Sequence, residues 1–118
     1  MAWMFTKDGF YSAVATGLND ELMVRARFRE DLVKLRIKMG LKKVSPIIET
    51  KAPADYRYRI VCSKAGFSDY VKKAILDIDY GNFKESLPIR RQRLYLRLWF
   101  IMKDAQDQEA GLPRSIDL

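Results

Sequence analysis

The stretch WMFTKDGFYSAV, residues 3–14, decides the fold of this chain. It places the dipeptide Asp8-Gly9 between two runs that favour β-structure. Asp-Gly in this setting is a strong short-range signal for a β-hairpin with a primed turn, in which turn residues take positive φ. The sequence therefore predicts two antiparallel strands joined at Asp8-Gly9.

A third strand is predicted after the break at TGLND, residues 16–20. In the stretch LMVRARFRE, residues 22–30, arginines alternate with apolar residues. Because successive side chains of a strand point to opposite faces, we expect the apolar set to face the core and the arginines to face outward. The apolar set is Leu22, Val24, Ala26 and Phe28, and the basic set is Arg25, Arg27 and Arg29.

A later segment, DYRYRIVCS at residues 55–63, alternates in the same way and predicts another strand. The preceding residues are predicted to be extended or loop-like, since Pro46 and Pro53 block helix interiors and central strands. One side of this strand would carry Tyr56, Tyr58, Ile60 and Cys62, and the other Arg57, Arg59 and Val61.

Apolar residues at helical spacing predict three amphipathic helices. Gly40 is expected to cap the first helix at its C-terminus. Pro88 suits the first turn of the third helix, with Ser86 as a candidate N-cap. The three segments are residues 29–39, 63–79 and 89 to about 108. The apolar face of the second helix would comprise Phe67, Tyr70, Val71, Ala74, Ile75 and Ile78.

The predicted order is β-β-β-α-β-α-α, which indicates an α+β fold: a small antiparallel sheet with two to three helices packed mainly on one face. A length of 118 residues predicts a single domain over 1–118, in which residues 111–118 form a flexible tail. The hydrophobic share of 48% and charged share of 31% are typical of a folded, soluble protein.

The charge balance favours a polyanionic partner. Lysine and arginine number 22 against 15 acidic residues, which gives a net charge of +7. Such an excess attracts nucleic acids or acidic proteins over long range, although many basic domains carry it only for solubility.

Several functional classes are excluded by composition. The chain has no histidine and one cysteine, Cys62, so it lacks Cys/His zinc sites and histidine-dependent nucleophilic catalysis. Cys62 lies in an apolar run and is predicted to be a buried, unreactive thiol. Without a signal-peptide pattern, and with a longest apolar run of only LWFIM at 98–102, the protein is predicted to be cytoplasmic and not to bind membranes.

The arginines form the main candidate site, for phosphate or nucleic acid. If both arginine-bearing strands face the same way, up to five guanidinium groups line one sheet surface, with Tyr11 or Lys7 nearby. Guanidinium groups mixed with aromatic rings on a sheet are typical of single-strand nucleic-acid binding. The alternative is a solvated face whose arginines pair with carboxylates such as Asp55 and Asp79. The five candidates are Arg25, Arg27, Arg29, Arg57 and Arg59.

The last helix is a second candidate site, for a protein partner. It mixes arginines with aromatic residues and is apolar around much of its circumference, so a loop or a second copy of the protein must cover part of it. The residues concerned are Arg90, Arg91, Arg93, Arg97 and Trp99. The leading hypothesis is a non-enzymatic module that binds nucleic acid. The alternative is a small protein-interaction or inhibitor protein, phage-derived and dimeric through this helix.

No catalytic, metal or cofactor site is predicted. The chain has no phosphate-binding glycine loop and no nucleophile elbow. Asp77 and Asp79 could hold a divalent cation, but pairing with an arginine such as Arg59 explains them more simply. Acid–base chemistry by Asp, Glu, Tyr or Lys keeps an enzyme open.

The segments WMFTKDGFYSAV, LMVRAR, DYRYRIV and DIDYGNFK, followed by an aromatic helix with Tyr95 and Trp99, resemble a family of small uncharacterised bacterial and phage-associated proteins. The resemblance covers most of residues 3 to 100. It implies a recurrent pattern but no activity, cofactor or catalytic residue. The residues of that pattern are Gly9, Ser12, Arg25, Arg27, Asp55, Tyr56, Arg59, Asp79, Asn82 and Phe83.

Overall fold

A computed structural model describes residues 1–40, 45–51 and 53–111. The chain divides into two compact units, Met1–Ile78 and Asp79–Leu118. The boundary falls where YGNFKES, residues 80–86, breaks the helical pattern. The tail predicted for 111–118 lies, apart from Gly111, outside the described residues.

The first unit contains a five-stranded antiparallel sheet and two helices, which confirms the α+β class. Its strands are β1 (Ala2–Thr6), β2 (Gly9–Ala15), β3 (Glu21–Ala26), β4 (Ile48–Glu49) and β5 (Tyr58–Ser63). They lie in the order β1-β2-β3-β5-β4. The helices are α1 (Arg29–Met39) and α2 (Lys64–Leu76). Only β4 was not predicted, because two residues are too few to produce an alternation.

The core lies between one face of the sheet and the two helices. Val24 is paired with Ile60, and both are fully buried, as the alternation in β3 and β5 predicts. Leu32 and Leu35 of α1 complete this layer together with Phe67 of α2. Helix α1 ends as predicted, at Gly40 with a φ of 81°. Phe28 departs from the expected pattern: it follows β3, is 44% exposed and takes the N-cap position of α1.

The predicted hairpin is present, but its turn differs from the prediction. Thr6 pairs with Gly9, so the two turn residues are Lys7 and Asp8. No non-glycine residue in the described part of the chain has positive φ, and Gly9 does not either, so the turn is not of a primed type. Gly9 is the first residue of β2 and must be required for another reason.

That reason is a close approach by Asp31 of α1. A Cβ on Gly9 would lie 2.3 Å from Cγ of Asp31. The Asp31 carboxylate accepts a hydrogen bond from the backbone N–H of Phe10 at 3.2 Å. The Tyr11 hydroxyl donates to the carbonyl oxygen of Asp31 at 2.7 Å. Asp31 is fully buried, so α1 is joined to the hairpin through polar contacts that only a glycine at position 9 accommodates.

The turn residue Asp8 joins the same hairpin to both helices. Its carboxylate accepts a hydrogen bond from the Tyr70 hydroxyl of α2 at 2.7 Å and one from the Lys38 ammonium group of α1 at 2.7 Å. Thr6 Oγ1 lies 2.9 Å from the Tyr70 hydroxyl and completes the cluster. Buried polar groups of this kind are stabilising when each finds a partner.

The second unit contains α3 (Ile89–Glu109), which follows a short 3-10 turn at Lys84–Ser86. Pro88 occupies the N-cap position of α3, whereas Ser86 donates its hydroxyl to the carbonyl oxygen of Phe83 and does not cap the helix. The Phe83 and Tyr95 rings meet edge to face at 5.2 Å. None of the described helices combines the length and apolar character that crossing a bilayer demands.

Replacing Gly9 by alanine tests the close approach. We expect Gly9→Ala to destabilise the fold by about 1–3 kcal/mol, because the new methyl group would force the Asp31 side chain away from the hairpin. Urea unfolding followed by circular dichroism measures this difference. The control is Gly81→Ala, where a Cβ would meet no atom of the described residues within 4 Å. Equal stability of the two variants would contradict the role given to Gly9.

Alkaline pH should destabilise the first unit. Burial, together with the nearby Glu21, raises the pKa of the Cys62 thiol from 9.0 to about 11, and burial is also the main cause that raises the pKa of Tyr11 and Tyr70. The unfolded chain therefore loses these protons first, so stability is full below pH 9 and falls as the pH rises toward about 11. Urea midpoints across this range should decline. The decline should be shallower in Cys62→Ala, and a midpoint independent of pH would contradict the prediction.

Candidate functional site

Strand register brings two of the predicted arginines together. Arg25 of β3 pairs with Arg59 of β5 on one side and with Ser12 of β2 on the other. All three alternate with core residues, so their side chains point away from α1 and α2. We call this side of the sheet the outer face. Both arginine-bearing strands, β3 and β5, thus contribute arginines to the outer face. This placement depends on the pairing of β3 with β5, which are distant in sequence.

Two guanidinium groups of the outer face lie over one aromatic ring. The guanidinium carbon of Arg25 is 4.4 Å from the ring centroid of Tyr56, and that of Arg27 is 4.2 Å from the same centroid. Arg25 also donates to the Ser12 hydroxyl at 2.9 Å. Cation–π contact and this hydrogen bond hold the two basic side chains in defined positions.

Tyr56 does not follow the predicted alternation. The sequence placed it on the same side as Tyr58, but it precedes β5, and its ring contacts arginines of the outer face. Tyr56 is only 7% exposed, and its buried hydroxyl has no hydrogen-bond partner among the described residues. The strand alternation fails here because Tyr56 lies before the first paired residue of β5.

Three aromatic residues of the hairpin extend the outer face. Trp3 and Phe5 of β1 alternate with core-facing Met4, and Phe5 pairs with Phe10 of β2. The Phe10 ring meets Trp3 edge to face at 5.7 Å and Phe5 at 5.4 Å. Trp3 is 61% exposed. Arg27 connects this cluster to Tyr56, since its guanidinium carbon lies 5.8 Å from the Phe10 centroid.

These aromatic residues were missed from the sequence. The hairpin pattern alone puts Trp3, Phe5 and Phe10 on one face, but only the pairing of β2 with β3 shows that this face carries Arg25. The residue expected near the arginines, Tyr11, lies on the opposite, core face and is fully buried. Lys7, the other expected neighbour, is exposed in the hairpin turn.

The arginines of the outer face keep an uncompensated charge. Within the described ranges, neither Arg25, Arg27 nor Arg59 forms an ion pair. Arg59 donates instead to the Thr50 hydroxyl. Among the described residues, carboxylates therefore do not neutralise these three arginines.

The other two arginine candidates are placed differently. Arg57 precedes β5 and pairs with Glu49 at 3.1 Å, which occupies its charge at an exposed position. Arg29 is the first residue of α1 and is exposed, so strand alternation does not assign it to the outer face. The site therefore centres on Arg25, Arg27 and Arg59.

The candidate partner helix α3 belongs to the second unit. Its Arg91 is only 9% exposed, whereas Arg90, Arg93 and Arg97 are exposed and Trp99 is 43% exposed. Self-association through this helix stays a prediction. Among the residues that the structure describes, no group of three acidic, histidine or cysteine side chains is arranged to hold a metal ion.

Comparisons with known proteins give no match: none is found among protein-family models, curated proteins or solved structures. The resemblance to uncharacterised bacterial and phage-associated proteins accordingly stays a prediction.

Two buried tyrosine hydroxyls provide a test of the site geometry. Tyr11→Phe removes a 2.7 Å hydrogen bond to the carbonyl oxygen of Asp31. The free energy of unfolding should fall by about 0.5–1.5 kcal/mol or more, because this buried carbonyl oxygen loses the Tyr11 donor. Tyr56→Phe removes a hydroxyl that has no partner in the described part of the chain and should leave the stability unchanged or slightly higher. Urea unfolding of both variants measures the difference. A marked loss in Tyr56→Phe would reveal a partner for that hydroxyl.

Proposed function

We propose that this protein binds single-stranded nucleic acid on the outer face of its sheet. The observation that carries the proposal is that three arginines, which have no carboxylate partner among the described residues, lie on the same face as an aromatic cluster. The net charge of +7 supports a polyanionic ligand. Phosphates would contact the arginines while bases stack on the rings.

The arginine arrangement suits phosphate. Arg25 and Arg27 are held against the Tyr56 ring, so part of the entropy cost of ordering them is met before a ligand arrives. A guanidinium group that lies on an aromatic ring keeps N–H donors at its edge for phosphate oxygens. Because neither group has a carboxylate partner in the described part of the chain, no ion pair there has to break.

The aromatic arrangement favours a single strand over a duplex. Trp3 and Phe5 are two residues apart on β1, which separates them by about 7 Å along the strand. Exposed rings on a sheet stack on bases that are free of a partner, whereas the bases of a duplex are already stacked on one another. Trp3, at 61% exposed, is the ring most accessible to such a base.

Fluorescence anisotropy of labelled oligonucleotides tests the proposal. We expect an oligothymidylate or oligouridylate of about 12 nucleotides to bind more tightly than a duplex of equal length. Three phosphate contacts predict a slope of about −2 in a plot of log K against log salt. Arg25→Ala and Arg27→Ala should each weaken binding and reduce this slope by about 0.7. Trp3→Ala should weaken binding by about 1–3 kcal/mol.

A matched control separates site contacts from total charge. Lys34→Ala removes the same single charge from an exposed position on α1 and should reduce affinity far less than Arg27→Ala. In a Trp99→Phe background, quenching of Trp3 fluorescence would report base stacking directly. The proposal is overturned if no oligonucleotide binds at low salt, or if Lys34→Ala and Arg27→Ala weaken binding equally.

A further inference from the structure

An apolar groove lies on the other side of the sheet from the candidate nucleic-acid site. It has a volume of about 750 Å³ and runs between the β1–β2 hairpin and α2. Its sheet side includes Met4, Ala13 and Ala15, and its helix side includes Phe67 and Val71. Three of the six strand residues that line the groove are alanines, whose short side chains leave space that α2 does not fill.

The groove continues into apolar surface that the first unit leaves in water. Ile75 and Leu76 at the end of α2 line it, and they are 61% and 71% exposed. From the helical spacing, Ile75 is expected to be buried, because it lies on the same face of α2 as the buried Phe67. In the structure Ile75 is exposed instead. Large apolar side chains gathered along a concave surface mark a site for a partner.

We propose that this groove binds an acidic amphipathic helix of a partner protein. The wall that α2 provides extends from Lys64 to Leu76, which corresponds to about three helical turns or about 18 Å. The groove is open along its length, so a bound helix can bury an apolar stripe and keep its polar face in water. A compact small molecule would leave much of its own surface exposed there.

Charge decides which helix fits. Lys64 and Lys72 line the groove, both are exposed, and neither forms an ion pair in the described ranges. Carboxylates on the flanks of an incoming helix would neutralise them. The first half of α3 from a second copy is a poor occupant, because its exposed Ile89 and Leu96 are accompanied by basic residues that would meet Lys64 and Lys72 with like charge. These residues are Arg90, Arg93 and Arg97.

Methyl NMR of the intact protein labelled at methionine tests this site. Met1 and Met4 line the groove, whereas Met23 points to the outer face and Met102 belongs to α3. The probe is a synthetic helix of about 18 residues with leucines at i, i+3, i+4 and i+7 and glutamates elsewhere. The matched probe carries lysines in place of the glutamates. We expect the acidic peptide to shift Met4 and leave Met23 and Met102 unchanged, and the basic peptide to shift none of them.

Variants confirm the surface and its charge. The double variant Lys64→Glu/Lys72→Glu should bind the acidic peptide with an affinity lower by about tenfold or more. The control Lys34→Glu, on α1, should not change this affinity. Ala15→Trp, at an exposed position of the groove, should block it and leave the fold intact, as circular dichroism would verify.

Three results would overturn the proposal. The first is the absence of a Met4 shift at millimolar acidic peptide. The second is a Met4 shift caused by oleate but not by the peptide, which would indicate a lipid site. The third is a Met4 signal that changes with protein concentration alone, which would indicate a second copy in the groove.

Discussion

The contact between Asp31 and the start of β2 is the constraint on which the first unit depends. A fully buried carboxylate is stabilised by the backbone N–H of Phe10, and its own carbonyl oxygen accepts the Tyr11 hydroxyl. The carboxylate reaches this position only because Gly9 has no side chain. Asp8, one residue earlier, contacts both α1 and α2 through Lys38 and Tyr70. A four-residue hairpin segment therefore fixes both helices against the sheet.

This arrangement also determines what the two faces of the sheet can do. With the helices held against one face by the hairpin turn, the opposite face keeps Trp3, Phe10 and the arginines together without a helix of the first unit over them. On the helix side, α2 leaves the alanine-rich part of β1 and β2 uncovered. Two surfaces of different chemistry result: one is basic and aromatic, the other apolar with lysines along it. The outer face suits a polyanion, and the groove suits an acidic helix.

Much of the fold follows from local patterns. The hairpin, the alternation in β3 and β5, and the end of α1 at Gly40 all agree with the sequence, because each depends on residues close together in the chain. The candidate site is only partly predictable. Alternation assigns Arg25 to the water side of β3, but no local pattern tells which residues of β2 lie beside it. A shift of one residue in that pairing would exchange Ser12 for Tyr11 and remove the aromatic cluster from the arginine face.

The sequence by itself determined the α+β class, the buried state of Cys62 and the outward direction of Arg25, since periodicity and apolar character act along the chain. Tertiary structure alone decided that Arg25 lies beside Arg59 and that Tyr56 turns toward both Arg25 and Arg27. It also decided that Gly9 serves a close contact and not a positive φ. These features arise where segments that are distant in sequence come into contact. Strand register and steric fit at such contacts produce no periodic pattern in the sequence.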